Sequence, residues 1–476
     1  MKRIKKYVAL LLVFAMVASL AGCGSSKESS NSSKNSKKGN KIMSVDVSSV
    51  KTLEDAVKKV SDYSEGEYEL KIKLAVGDYG DFDFDLTGKL KGNEFTVDSI
   101  EDSINISIEK LMEDFGEKIK KPEESLKLTR DSIKLKSSFG NVCTLADGKL
   151  YFDIDEIVGT ILKMDTDFGS YGILVPVPDA DKVTKLRNNG FKLIAGVVGA
   201  LGEEADVDKD DTEFTIRFES AEDMKKAFRA AIVYIQENSE EFVDYASTFN
   251  DLVDFEDYAE RLTEDIQDDI EDVAEYAGQK VPDNFSAEVE DRIKDNAGDI
   301  NSEMEDVEDM QGDLDYALAE MLKEFDEMPD SEWAQAFDAY KQVDPEITFK
   351  TNSDEFAMGI KIDNSYEGID ISADIEFSFV PQQVSISAPK KVSSMEDILD
   401  EFDNIKDDLQ EKYDDIADKF KECQENEDAD GMIELVEDSL GGGYLLAAVL
   451  GAVIAPSYVR YITKSRQRQE EQMNDY

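Results

Sequence analysis

Histidine is absent from all 476 residues of this chain. That removes the commonest general base and the commonest transition-metal ligand, so histidine-dependent catalytic triads and zinc sites are excluded. Cysteine is nearly as scarce, with three residues at Cys23, Cys143 and Cys423, too few for a disulfide-stapled scaffold. Bases are also in short supply: 53 Lys and Arg stand against 108 Asp and Glu, a formal charge of −55. Such a body repels polyanions, and nucleic acid is excluded as a partner. No nucleophile elbow, phosphate loop, dinucleotide fingerprint or metal-ligand cluster occurs either. With 108 acids, carboxylate pairs occur throughout and identify no site. The expectation is a protein that is not an enzyme and uses no cofactor and no metal.

Long apolar runs are missing too, but two shorter ones mark the ends of the chain. The first follows a basic start, Lys2-Arg3-Ile4-Lys5-Lys6, and runs from Tyr7 to Leu20 with Ser19 as its interruption. This is the layout of an export signal, and it is too short for a comfortable membrane span. It ends in Leu20-Ala21-Gly22-Cys23, which resembles the lipobox of bacterial lipoproteins. The resemblance implies cleavage between Gly22 and Cys23, diacylglycerol on Cys23, and anchorage at the extracytoplasmic face of the cell membrane. Membrane lipid, through Cys23, is then the first expected partner. Losing Lys2, Arg3, Lys5 and Lys6 with the signal takes the formal charge to about −59. Cys143 and Cys423 are left as the only pair for a disulfide, and spacing does not decide between one bridge and two separate small apolar residues.

From Gly24 to Asn40 the chain is a polar Ser/Lys tether with nothing to bury. Its lysines (Lys27, Lys34, Lys37, Lys38) contrast with the acidic body, and serve either contact with anionic headgroups or mere solubility. Folded structure is expected from Thr52, which caps a short helix carrying Leu53, Val57 and Val60. Period-two alternation follows at 67–74, 81–86, 104–108, 126–128, 133–136 and 149–154, then again at 212–218, 347–349, 356–362, 369–379 and 384–388. Alternation on this scale predicts an antiparallel sheet with one wet and one buried face. Asp81, Asp83 and Asp85 share the outer side of one strand, so they read as a solvated face and not as a calcium site. Asp206-Val-Asp-Lys-Asp-Asp fails as a calcium loop because Asp211 stands at the glycine position and Arg217 at the terminal ligand position.

Helical periodicity marks 179–201, a lid or core helix, and 220–235. Between Glu241 and Met328 an apolar residue recurs every three or four positions in an acidic background, with a break at Val281-Pro-Asp-Asn. This predicts two long amphipathic helices in an antiparallel hairpin inserted into the sheet domain, with Trp333, Phe337 and Tyr340 in a short helix closing its end. Met395 to Phe420 is a further amphipathic helix. The order of helix, strands, inserted helices, strands and a last strand ending at Ala388-Pro389 resembles the half-barrel of lipoprotein carriers of the LolA and LppX group. The expected fold is α+β: an antiparallel, half-barrel-like β-sheet with a long acidic helical-hairpin insertion and a C-terminal hydrophobic helix. Its parts are a signal (1–22), lipidated cysteine and tether (23–45), a first β-rich part (46–240), a helical insertion (241–345), a second β-rich part (346–392), an amphipathic helical region (393–440) and a hydrophobic helix with basic tail (441–476).

The second apolar run, Tyr444 to Val459, is sixteen residues long, or about 24 Å as a helix. It is read as a second anchor that inserts Tyr444, Leu445, Leu446, Val449, Leu450, Val453 and Ile454, while Arg460 and Lys464 snorkel on the cytoplasmic side. The rival is a buried helix of the extracellular body, which its shortness and Pro456 favour. Val453 to Ile462 also resembles the second half of a type IV pilin membrane helix, although pilins carry theirs at the N-terminus. Two functions from different classes follow. One is a non-catalytic surface lipoprotein that binds an apolar ligand or an envelope protein, and the other is a structural or adhesive, pilus-like envelope component anchored at both ends. A large apolar cavity between sheet and helices would favour the first, and a filled core with an exposed hydrophobic stripe on the helices the second.

Overall fold

The structure is a computed structural model that describes residues 46–60, 65–110, 130–175, 180–210, 212–250, 255–278, 287, 291, 310–366, 369–426 and 428–440. The lipobox, the tether, the expected strand at 126–128, the Val281-Pro-Asp-Asn break and Tyr444 to Val459 lie outside the described residues. Among the described residues, no helix is long and apolar enough to cross a membrane. The strands are β1 (Glu65–Val76), β2 (Gly80–Lys91), β3 (Glu94–Ser107), β4 (Ser132–Ala146), β5 (Lys149–Asp153), β6 (Ser170–Leu174), β7 (Asp206–Asp210), β8 (Glu213–Arg217), β9 (Glu346–Thr351), β10 (Phe356–Tyr366) and β11 (Ile369–Pro381). The helices are α1 (Leu53–Lys59), α2 (Ile154–Leu162), α3 (Ala180–Glu204), α4 (Ala221–Glu237), α5 (Ser239–Asn250), α6 (Phe255–Tyr276), α7 (Met310–Asp326), α8 (Asp330–Val343), α9 (Met395–Glu425) and α10 (Ala429–Leu440).

All eleven strands form one open antiparallel sheet in the order β6-β5-β4-β3-β2-β1-β11-β10-β9-β8-β7. The fold is therefore α+β, and the early and late strands belong to one sheet because β1 pairs with β11 along its length, from Gly66 opposite Pro381 to Val76 opposite Ile371. Alternation accounts for the two faces. Leu70, Leu86, Ile100 and Phe139 stand opposite one another across β1 to β4 and share the apolar side. Lys71 meets Asp85 and Glu376, and Lys73 meets Asp83 and Asp374, on the other side, which matches opposite charges across strands as favourable pairs require. Asp81 and Asp83 are exposed there, and Asn105 donates to Asp81 at 3.0 Å. Burial and the neighbouring Glu69 push the Asp85 carboxyl up against the pull of Lys71.

A bulge passes through β2, β3 and β4, where the register shifts at Thr87/Gly88 and Val97/Ser99. Beside it Tyr68 lies over Gly88 and donates its hydroxyl to the Thr96 carbonyl at 2.8 Å. Any Cβ at Gly88 would sit 2.4 Å from that hydroxyl, so glycine is what lets the ring cross the sheet.

Sheet edges are covered or blunted, as unpaired strands require. On β6, Ser170 donates to Lys391 O and accepts from the Ser393 amide. The free length of β4 is met by carboxylates: Glu437 accepts from the Lys134 amide at 2.7 Å and Glu156 from Gly140 at 2.6 Å. At the opposite edge β7 is short and charged. Its residues, Asp206 to Asp210, form a strand through pairing with β8, so they make no calcium loop.

Helices cover the flanks. At one end α1 and α3 close Val50, Leu53, Ala56, Val57 and Ala195 onto Phe214, Ile216 and Phe349, so α3 is a core helix and not a lid. Behind them α4, α5, α7 and α8 assemble around Met224, Ile232, Leu318, Phe325 and Trp333. At the other end α2 and α9 close on Phe168 with Ile398 and Ile405. The helical region differs from the expected simple hairpin. The helix expected at 220–235 is α4 and joins the helices of the insertion, and among the described residues the two limbs of the expected hairpin pack on different partners. Helix α7 lies on α4 and α5, whereas α6 lies on β6 and α9. The reason is the sheet's width: each limb finds an apolar neighbour at its own flank.

Candidate functional site

Between the covered flanks, the apolar face of the central strands stays open at one end. Rows of facing residues run across the sheet by register. The row through Phe139 and Phe349 is closed at both flanks, where these side chains are 1% and 8% exposed. Two and three rows along, Leu74, Val76 and Ile371 are 38%, 42% and 37% exposed, with Ile72, Phe82, Phe84, Ile104, Leu135, Ala373 and Ile375 half-buried beside them. Among the described residues the helices pack chiefly on β4, β6, β7, β9 and β10, and leave β1, β2, β3 and β11 without broad cover. These side chains form an apolar surface on one face of the sheet, a candidate interaction or ligand site.

A second feature lies apart from the first, at the β6 edge and beyond the closed row. Tyr171 follows Phe152 and Cys143 along the same row and face. Its side chain, with Ile270, Val273, Ala274 and Ala277 from α6 and its C-terminal turn and Met395 from α9, lines a cleft of about 460 Å³ between sheet and helices. Two phenol-to-carboxylate hydrogen bonds hold α6 there: Tyr171 donates to Asp269, and Tyr276 donates to Asp403 at 3.0 Å. The bond to Asp403 raises the Tyr276 phenol above its usual value.

One polar pair interrupts the apolar face. Asp102 and Ser137 stand opposite each other on β3 and β4, each 3% exposed, and the Ser137 hydroxyl donates to Asp102 Oδ1. Sequence reasoning passed over both. A signal was present, because each breaks an apolar alternation at an inward position: Ile100-x-Asp102-x-Ile104 and Leu135-x-Ser137-x-Phe139.

Of the residues expected to carry function, Gly22, Cys23, Tyr444 to Ile454, Arg460 and Lys464 all lie outside the described residues. Cys143 and Cys423 are free thiols, which decides the bridge question in favour of separate residues. Burial pushes the Cys143 thiol up from 9.0 to about 11. Among the described residues, no group of three or more acidic or cysteine side chains is placed to hold a metal ion. No family model, curated protein or solved structure matches the chain.

Proposed function

We propose that this chain is a non-catalytic lipoprotein, anchored through Cys23 at the extracytoplasmic face of the cell membrane, which holds an apolar ligand against the open face of its sheet. The observation that carries the reading is the exposure of Leu74, Val76 and Ile371 at the open end of the apolar face, on the central strands β1 and β11. Covering what is left exposed of each side chain is worth roughly 1 kcal/mol, a fraction of the figure for full burial, and a ligand's hydrocarbon is a partner of matching chemistry. The cleft beside Tyr171, beneath α6 at the β6 edge, is a separate apolar recess. The acidic outer side of the sheet keeps the body soluble beside the membrane. The half-barrel layout lacks its expected last strand, because 384–388 form no strand after β11, and Tyr444 to Val459 serves as the second anchor. The structural, doubly anchored reading draws on α9, where Phe402, Tyr413 and Phe420 stand 39%, 69% and 47% exposed on one helix face. These aromatics are two to three turns apart, whereas the exposed residues of the sheet face are adjacent.

Titration of the full-length protein with neutral N-phenyl-1-naphthylamine tests the reading. Saturable, blue-shifted fluorescence is expected, and the double variant Leu74→Lys/Ile371→Lys should lose it while keeping its circular dichroism. An unsaturable signal, or one indifferent to the double variant, would refute the ligand site. Cys23→Ala should abolish fatty-acid labelling of the chain in cells, and undiminished labelling would remove the anchor from the reading.

A further inference from the structure

Helix α10 runs along the free edge of β4. Asp430 accepts from the Arg130 amide at 3.0 Å and Glu437 from the Lys134 amide at 2.7 Å, so the helix travels in the direction of the strand. Lys134 stands between the two open rows. Ile133 leads through Ile106 and Gly80 to Val76 and Ile371, and Leu135 leads through Ile104 and Phe82 to Leu74 and Ala373. Leu440, the last residue of α10, follows Glu437 by three positions, about 4.5 Å further along the edge. The chain therefore leaves α10 beside the rows that the helices leave without broad cover among the described residues. Next in the sequence come Gly441-Gly442-Gly443 and the sixteen-residue apolar run from Tyr444 to Val459. Three residues reach at most about 10 Å, enough to turn from the edge onto the face.

We propose that Tyr444 to Val459 has a second seat on this face, and that in protein extracted from the bilayer it lies across the open rows as an internal occupant. The inference rests on the reading of this face as an apolar binding surface. Length supports it. From β4 to β11 the order β4-β3-β2-β1-β11 contains four strand spacings, about 19 Å, and sixteen residues as a helix span about 24 Å. The same run is short for a hydrocarbon core of about 30 Å, a mismatch that weakens the bilayer's hold on it and lets the sheet compete. Charge supports it too, because the Arg460, Lys464, Arg466 and Arg468 tail would lie against a protein of formal charge −55. Ligand and segment then compete for one surface. With the segment in the bilayer the face is free, and with the segment withdrawn the face is covered, so a chain detached from the membrane gives up its ligand.

Photocrosslinking and probe binding in the full-length protein test this. Leu74→p-benzoylphenylalanine, irradiated in detergent-free buffer, should give an adduct with a peptide from 444–459 of the same chain, at a yield independent of protein concentration. Asp83→p-benzoylphenylalanine, on the exposed outer side of the sheet, should give none. Reconstitution into phosphatidylcholine vesicles should abolish the adduct from position 74. Leu450→Lys/Ile454→Lys, at two positions of one helix face, should bind N-phenyl-1-naphthylamine about tenfold more tightly than the wild type in the same buffer, the gain expected when an internal competitor had held about nine-tenths of the molecules. No adduct from position 74, or an equal one from position 83, would overturn the proposal. So would an adduct that persists in vesicles, or equal probe affinity in wild type and double variant. In each of those cases the probe still binds and the ligand site stands. An adduct from position 74 with no probe binding by either form would instead remove the ligand reading and leave the segment docked on the sheet.

Discussion

Cys143 shows how one side chain reports on the covered part of the sheet. It lies on the apolar face between Val97 and Phe152, and burial raises its thiol from 9.0 to about 11. The unfolded chain releases this proton near the ordinary value and the folded chain two units later, so the neutral thiol contributes stability that is fully present below pH 9. That contribution is lost as pH rises from about 9 through about 11, because the unfolded state now binds fewer protons than the folded one. Urea midpoints measured side by side for wild type and Cys143→Ala should run parallel below pH 9, with the wild type falling relative to the variant between pH 9 and 11. A constant difference across that range would mean the thiol is solvated and its row open. The same residue scale shows what the alternation hid: Asp102 and Ser137 occupy inward positions, and only the packed sheet makes them buried neighbours.

At the scale of elements, the N-terminus of α9 joins three constraints in a few residues. Lys391 and Ser393 run along the β6 edge, the Ser393 hydroxyl donates to the Phe168 carbonyl, and Ser394 and Asp397 form a reciprocal capping box. The box sets the direction in which Ile398 and Ile405 meet Phe168. Ser394→Ala should cost about 1 kcal/mol, and Ser394→Asp a few tenths at most. Equal urea midpoints for wild type and Ser394→Ala would show that Phe168 and the β6 edge fix the helix without its cap. Elements of this kind were legible in part in the sequence: Thr52 announced its helix, periodicity marked 220–235 and 395–420, and alternation marked most of β1, β5, β8, β10 and β11 but only stretches of β2, β3, β4 and β9. Two strands were not legible. β6 is five residues around Gly172, and β7 is Asp-Val-Asp-Lys-Asp, a poor strand by composition that pairing with β8 imposes. Nor could periodicity foresee that β1 would find β11, since strand partners are set by tertiary packing, or which rows of the apolar face the helices would leave open.

At the scale of the whole molecule, the helical region leaves the sheet and returns to it at one point. β8 ends at Arg217 and β9 begins at Glu346, Ile216 and Ile347 are direct partners, and Arg217 pairs with Glu346 at 3.4 Å. The gap is that of a β-hairpin, for which a two-residue Asn-Gly loop has the right twist. The helices between largely bury one another, through Met224, Ile232, Phe325 and Trp333, while the sheet keeps its own contacts with α1 and α3 through Leu53, Ala195, Phe214 and Phe349. Replacing residues 218–345 with Asn-Gly should leave a domain that melts cooperatively and retains its β-sheet circular dichroism. Its Tm should fall, because α3 loses Tyr234 and Tyr245, which lie against Gly196 and Gly190. Such a molecule lacks α6 and hence the cleft beside Tyr171, but keeps Leu74, Val76 and Ile371. Saturable binding of N-phenyl-1-naphthylamine by the shortened chain would therefore place the ligand on the open sheet face, and loss of binding with a preserved melt would place it beneath α6. A chain with no β signal and no cooperative transition would mean that the sheet cannot stand without its helices, and that the strands on either side of them fold only as part of the whole.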